Sequence, residues 1–153
     1  LLAALNVFLY ACLNRDPKRA NMSGALKTVS QWSLPVLSVL CYGLTLTAAL
    51  GYPSRIEIVV PLLTGILLLV IGNYLPKTKQ SYTMGIKLPW TLQSEENWTR
   101  THRLSGFLWV LCGLVMIPLS LLRLWSGWLF GVLLAVMVLI PAVYSYALHR
   151  KGI

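Results

Sequence analysis

Residues 58–75 read IVVPLLTGILLLVIGNYL, a stretch without a single charged side chain. A helix needs about 20 predominantly apolar residues to cross the ~30 Å hydrocarbon core of a bilayer. This stretch is close to that length. Its last residues include the polar Asn73 and Tyr74, and Pro76 follows it. It therefore predicts a membrane-spanning helix and indicates that the chain is an integral membrane protein.

The composition of the whole chain also indicates a membrane protein. Of its 153 residues, 57% are hydrophobic and only 11% are charged, which is too few for the surface of a soluble domain. The charged residues are confined to short stretches between apolar runs. We therefore exclude an ordinary soluble domain. The excess of 13 basic over 4 acidic residues indicates membrane topology rather than a nucleic-acid partner.

Apolar runs of this kind recur along the chain. The sequence predicts one partial and four complete spans, at residues 1–13, 32–51, 58–75, 104–122 and 126–148. The run at 1–13 would reach only about 20 Å as a helix, and it lacks the basic start and cleavage site of a signal peptide. We expect it to be the end of a span that begins upstream. The predicted fold is all-α: residues 1–153 form a single polytopic transmembrane helix bundle with five visible spans.

The loops between the runs are predicted to alternate between the two sides of the membrane. Eleven of the thirteen Lys and Arg residues fall on one side, in loops 14–31 and 76–103 and the C-terminal tail; only Arg55 and Arg123 fall on the other. Lys and Arg accumulate in short cytoplasmic loops. We therefore expect both loops and the C-terminus to be cytoplasmic in a multi-pass cell-membrane protein. The basic residues would also contact the headgroups of membrane lipids.

Small and polar residues form stripes on the predicted spans. Glycines and other small residues allow two helix backbones to approach closely. Two such stripes are Gly127, Gly131 and Ala135 at every fourth residue, and Gly106, Gly113 and Ser120 at every seventh. A third stripe, Ser38, Tyr42 and Thr45, is mildly polar. Either it packs inside the bundle or it lines a groove for a peptide or lipid, and the sequence leaves both interpretations open.

The chain offers little for catalysis or metal binding. Its three cysteines lie in predicted spans without metal-ligand spacing, and the common nucleophile, phosphate-loop and zinc motifs do not occur. We therefore expect no metal site, no cofactor and no enzymatic activity. An intramembrane enzyme is the weakest alternative, with Glu95, Glu96 and His102 as its concentrated candidates. Because every charged residue lies outside the predicted spans, a passive transporter, channel or structural membrane subunit is the stronger alternative.

The loop 76–103 contains local signals for where helices stop and start. Pro76 has no backbone donor and restricts the residue before it, so the preceding helix should end near Leu75. Ser94 followed by Glu95 and Glu96 is a helix start, with a capping hydroxyl and carboxylates in the first turn. The loop is therefore predicted to lead directly into the next helix.

That helix is predicted to run from Glu95 to about Leu122, so its first turns project beyond the membrane. Glu96 and Arg100 are four residues apart and can pair. One face carries Trp98, His102, Ser105 and Trp109. This spacing lets His102 face the bundle or the preceding loop.

Four short motifs follow one another here: NYLPK at 73–77, GIKLPWTL at 85–92, SEENW at 94–98 and THRLSG at 101–106. In this order and spacing they resemble the signature of the SdpI-like family, the immunity proteins of the sporulation-delaying-protein toxin system. One departure is Leu88, where the family pattern favours Thr before the Pro-Trp pair.

The resemblance implies a bacterial membrane protein, with six spans in the full-length chain, that gives resistance to a secreted membrane-active peptide toxin. It also implies signalling, in which the protein sequesters a cytoplasmic transcriptional repressor at the membrane without itself contacting nucleic acid. The residues it points to for partner binding or conformational change are Asn73, Tyr74, Pro76, Lys77, Gly85, Lys87, Pro89, Trp90, Trp98, His102 and Arg103. Five of them are expected to form a basic, aromatic surface: Lys77, Lys87, Trp90, Trp98 and Arg103.

Overall fold

The computed structural model describes residues 2–15, 24–52, 55–82 and 85–153. The helices in these ranges are α1 (Leu2–Arg15), α2 (Gly24–Ala49), α3 (Ile56–Tyr74), α4 (Pro89–Gln93), α5 (Glu95–Leu121) and α6 (Gly127–Arg150), with a 3₁₀ turn at Leu75–Lys77. None of the described residues forms a β-strand. The predicted all-α fold class is confirmed.

Within the described residues, four helical stretches are long and apolar enough to cross a membrane: Gln31–Ala49, Ile56–Lys77, Glu95–Leu121 and Gly127–Arg150. They overlap the four complete apolar runs of the sequence, and together they make this a multi-pass helical membrane protein. Helix α1 covers residues 2–13 of the first apolar run. That this run belongs to a longer span, and that the full-length chain has six spans, stay expectations. Part of the first basic loop, residues 16–23, lies outside the described residues.

The ends of α3 and α5 follow from local chemistry. Helix α3 ends at Tyr74, and one 3₁₀ turn then closes with the N–H of Thr78 bonded to the carbonyl of Leu75 at 3.1 Å. Ser94 caps α5, because its hydroxyl accepts the N–H of Asn97 at 3.2 Å. Both boundaries agree with the sequence.

Helices α3 and α5 pack most extensively, and glycines form the contact. A Cβ added at Gly106 would lie 2.6 Å from the carbonyl oxygen of Gly72, and one at Gly113 would lie 2.6 Å from that of Gly65. The glycines are seven residues apart on each helix, so both pairs stay in register between antiparallel backbones. The close approach predicted for the stripe at Gly106 and Gly113 is confirmed.

The predicted stripe on α6 does not pack in this way. Cβ atoms added at Gly127 and Gly131 would meet nothing within 4 Å among the described residues. Helix α6 instead buries another face, formed by Met137, Pro141, Ser145 and Leu148. Among the described residues this stripe therefore has no close neighbour, because small-residue spacing permits close packing but does not provide a partner helix.

The polar stripe on α2 is not a packed face either. Tyr42 is 69% exposed, and the hydroxyl of Thr45 donates within its own helix, to the carbonyls of Cys41 and Tyr42. An apolar groove of about 270 Å³ does separate α2 from α3, but Trp32, Val36 and Leu40 line it on the α2 side. The groove therefore uses a different face of α2 from the predicted stripe.

Candidate functional site

Between α3 and α5 the chain folds back against the first turns of α5 and the last turns of α6. Residues 78–82 and 85–94 form this segment, which we call the cap. The cap contains α4 and much of the predicted motif loop. Its position places the sequence motifs around one end of the α5–α6 pair.

Trp98 fastens the beginning of the cap to α5. Its side chain is only 1% exposed, and its indole Nε1–H donates to the backbone carbonyl of Thr78 at 2.8 Å. The hydroxyl of Thr78 in turn donates to the carbonyl of Leu75. The end of the 3₁₀ turn and the start of the cap are therefore tied to one indole ring.

His102 fastens the middle of the cap. The imidazole is 0% exposed, and its Nε2 lies 2.9 Å from the backbone N of Ile86. Since a backbone N–H can only donate, Nε2 must be the acceptor. Nδ1 lies 2.8 Å from the carbonyl oxygen of Trp98, so it must carry the proton. The geometry thus assigns a neutral imidazole with its hydrogen on Nδ1.

Gly85 lets the cap approach these two rings. Its φ of +104° is a conformation that residues with a Cβ rarely adopt. A Cβ at this position would also collide with Nε2 of His102 and lie 2.8 Å from the ring of Trp98. The two rings stack on each other with centroids 4.0 Å apart. Glycine is therefore required at position 85 for two independent reasons.

Buried polar groups hold the cap together internally. Thr91, at 0% exposure, accepts the N–H of Leu88 at 2.9 Å, and its hydroxyl lies 2.9 Å from the carbonyl of Ile86. The side-chain amide of Gln80 donates to the carbonyls of Thr91 at 3.0 Å and Leu92 at 2.7 Å. The cap is thus a folded unit in which the buried side chains of Gln80 and Thr91 have hydrogen-bond partners.

Trp90 connects the cap to α6. Its ring meets Tyr146 edge-on at 5.4 Å between centroids and stacks on His149 at 6.1 Å. Pro89 occupies the first position of α4, where its missing N–H costs no helical hydrogen bond. The indole N–H of Trp90 is buried and has no acceptor among the described residues.

Asn97 links α5 directly to α6. Its side chain is 0% exposed. Its Nδ2 donates to the carbonyl of Ser145 at 3.0 Å, and its Oδ1 accepts the hydroxyls of Ser145 at 2.6 Å and Thr101 at 3.1 Å. Sequence reasoning missed this residue. The signal available was the spacing of Asn97, Thr101 and Ser105, which places three polar side chains on one helical face.

The remaining predicted site residues lie at the end of α3, in the 3₁₀ turn that follows it, in the cap and on α5. Lys77, Lys87 and Arg103 are exposed, and the ammonium of Lys77 lies 5.4 Å from the ring centroid of Tyr74. Asn73 is exposed too, so its amide can reach solvent or headgroups. The ring of Pro76 packs beside Gly106.

The predicted basic, aromatic surface is therefore only partly correct. Three of its members are exposed cations, and Trp90 is half-buried. Trp98 does not belong to the surface, because the cap covers its ring and leaves it 1% exposed. A tryptophan in a short polar stretch is expected to be exposed. Here the preceding chain folds back and covers the ring.

The structure does not assemble the residues proposed for an intramembrane enzyme. Glu95 and Glu96 are exposed, and Glu96 Oε1 accepts Nη2 of Arg100 at 2.6 Å, as the four-residue spacing predicts. His102 is buried, with both ring nitrogens bonded to backbone groups. In the part of the chain that the structure describes, no group of three or more His, Cys, Asp or Glu side chains is arranged to hold a metal.

Comparisons with known proteins point to the same segment. Residues 77–145 match the sequence pattern of the SdpI/YfhL protein family. The chain is also 32% identical over 101 residues to the immunity protein SdpI of Bacillus subtilis (strain 168), an alignment that covers 66% of this chain and 47% of that protein. The chain thus spans about half the length of that relative. No solved structure matches it. The resemblance predicted from the motifs is confirmed, and residues 77–145 belong to the SdpI/YfhL protein family.

Proposed function

We propose that this protein protects its cell from a secreted, membrane-active peptide toxin. The observation that supports this most directly is its 32% identity to a protein named for immunity, and the family match at residues 77–145 supports it as well. That family match contains the whole of the cap and of α5, and most of α6. The proposal therefore places the function in the cap and in the two helices that carry it.

The cap suits a conformational role. Hydrogen bonds fasten it to α5, among them one from Trp98 to Thr78 and one from Ile86 to His102. A toxin that enters the bilayer can contact the exposed apolar faces of the helices. If it binds better to one tilt of α5 than to another, it shifts the population of the docked cap by that difference in affinity.

Signalling through a repressor is the finer part of the proposal. Three exposed cations lie before, within and after the cap along the chain, namely Lys77, Lys87 and Arg103. The bias of Lys and Arg across the loops supports a cytoplasmic location for them. A repressor with an acidic surface would find complementary charge there. A change in cap docking would move Lys87 relative to Arg103 and so alter that surface.

The contacts of His102 also favour a binding role over a catalytic one. The buried imidazole of His102 uses both nitrogens to hold backbone groups, and therefore has no free acceptor for a substrate proton. We propose that the protein acts without bond-making chemistry, through binding and conformational change.

Expression of this chain in a toxin-sensitive bacterial strain tests the proposal. Cells are exposed to a panel of membrane-active peptides, and survival is compared with that of cells expressing an unrelated multi-pass protein at the same membrane level. We expect increased survival against at least one peptide. Equal survival for both proteins across the panel would contradict the proposed immunity function.

A further inference from the structure

The outer face of α5, away from the cap, carries a second concave site, of whose lining residues the proposed function uses only Arg103. A pocket of about 600 Å³ opens between α5 and α6. It is lined by Arg100, Arg103, Leu104, Phe107 and Tyr144. The first four residues follow one another along one face of α5, and α6 contributes the tyrosine.

The pocket is divided into a basic half and an apolar half. Arg100 and Arg103 lie in the polar first turns of α5, and both are exposed. Leu104 begins the apolar run that the sequence predicts to enter the membrane. Phe107, deeper in that run, is 62% exposed, and Tyr144 is 37% exposed. Exposed rings below exposed cations are the arrangement expected where a helix crosses the headgroup region.

We propose that this pocket binds an anionic phospholipid, with its phosphate between the two guanidinium groups and its acyl chains along Phe107 and Tyr144. A guanidinium donates two parallel N–H bonds to phosphate oxygens, which a lysine ammonium does not do. Basic pockets between helices at the membrane surface take acidic lipid headgroups by this chemistry. A free phosphate would use only the basic half, whereas a lipid fills both halves.

The ion pair with Glu96 determines which of the two arginines contributes more to binding the phosphate. Its carboxylate accepts Nη2 of Arg100 at 2.6 Å, so part of the charge and one donor of Arg100 are already engaged. Arg103 is therefore the principal phosphate ligand and Arg100 the secondary one. The carboxylate also repels an incoming phosphate, and its removal should strengthen lipid binding.

Native mass spectrometry of the purified full chain in detergent provides the test. The probes are phosphatidylglycerol, zwitterionic phosphatidylcholine of the same acyl chains, and soluble glycerol 3-phosphate. We expect the protein to retain phosphatidylglycerol in preference to phosphatidylcholine, and glycerol 3-phosphate not to compete at equal concentration. Arg103→Gln should weaken phosphatidylglycerol binding about fivefold, the contribution expected of one cation near the headgroups.

Two further variants keep the test independent of folding. Arg150→Gln removes the same charge from the exposed end of α6, outside the pocket, and should change binding less than twofold. Glu96→Gln should increase binding, a gain that misfolding does not produce. Equal effects of Arg103→Gln and Arg150→Gln would overturn the proposal, as would equal retention of the two lipids. Full competition by glycerol 3-phosphate would instead identify a free-phosphate site and overturn the lipid assignment.

Discussion

The imidazole Nε2 of His102 accepts the backbone N–H of Ile86 at 2.9 Å, across sixteen residues of sequence. The partner is a backbone group, so any residue except proline at position 86 would supply the same donor. Position 102, in contrast, needs an acceptor at one particular place. One side chain of α5 thereby controls whether the middle of the cap is docked.

Replacement of His102 should release the cap locally. In His102→Ala the N–H of Ile86 loses its acceptor, and an unpaired buried donor costs about 1–3 kcal/mol. Hydrogen exchange at the Ile86 amide should therefore accelerate, whereas amides in the middle of α3 should exchange at the wild-type rate. His102→Gln, whose carbonyl can take the place of Nε2, should restore part of the protection. An Ile86 amide that exchanges equally in wild type and His102→Ala would refute this role.

Gly85→Ala should destabilise the protein more than the same change at another glycine of positive φ. Gly152 provides the matched control, because its φ is +82° and a Cβ there meets nothing within 4 Å. Gly152→Ala should cost only the backbone term, about 1–2 kcal/mol. Gly85→Ala adds collisions with His102 and Trp98, so its loss of unfolding free energy in a denaturant titration should be clearly larger. Equal losses would show that the close approach is unimportant.

The glycine contact between α3 and α5 predicts a second contrast. In Gly106→Ala the new methyl group would meet the carbonyl of Gly72 and the ring of Pro76 at 2.6 Å, so the two helices must separate. We expect a lower thermal unfolding midpoint in detergent. Gly131→Ala places the same methyl in open space and should be neutral or stabilising by up to about 1 kcal/mol, because alanine favours helix. Similar midpoints for both variants would argue against close packing of the two backbones.

Asn97 and Ser145 should be energetically coupled. They exchange two hydrogen bonds, of 3.0 Å and 2.6 Å, in a fully buried environment. Unfolding free energies of Asn97→Ala, Ser145→Ala and the double variant define a mutant cycle. Residues in one network typically show a coupling of about 0.5–3 kcal/mol. Strictly additive losses would mean that the two side chains do not stabilise the α5–α6 pair jointly.

The helices and several of their boundaries could be predicted from the sequence because they depend on local chemistry. An apolar run of spanning length, the missing donor of Pro76 and the capping hydroxyl of Ser94 each act within a few residues. The pairing of Glu96 with Arg100 is equally local, since one helical turn brings the two together. The motifs also identified the family resemblance, and most of them lie within the family match at residues 77–145.

The internal structure of the cap could not be predicted in the same way. The bonds from Gln80 to Leu92, from Trp98 to Thr78 and from Ile86 to His102 each join residues 12 to 20 positions apart. No periodicity encodes such pairs. For this reason Trp98 was expected at a surface although the cap buries it.

Small-residue stripes show the same limitation. The sequence contains similar stripes on α5 and α6, yet only Gly106 and Gly113 meet another backbone, whereas Gly131 meets none of the described residues. Spacing shows that a helix face can accept a close neighbour. Which helix face actually has a close neighbour depends on how the other helices are arranged.

Survival of toxin-exposed cells that express Gly85→Ala or Gly152→Ala, at membrane levels matched to wild type, tests most directly whether the docked cap carries the proposed function. Both variants strain a glycine of positive φ, but only the first pushes the cap away from His102 and Trp98. We predict that Gly85→Ala loses protection while Gly152→Ala keeps it. Full protection by correctly inserted Gly85→Ala would contradict a role for the docked cap in immunity.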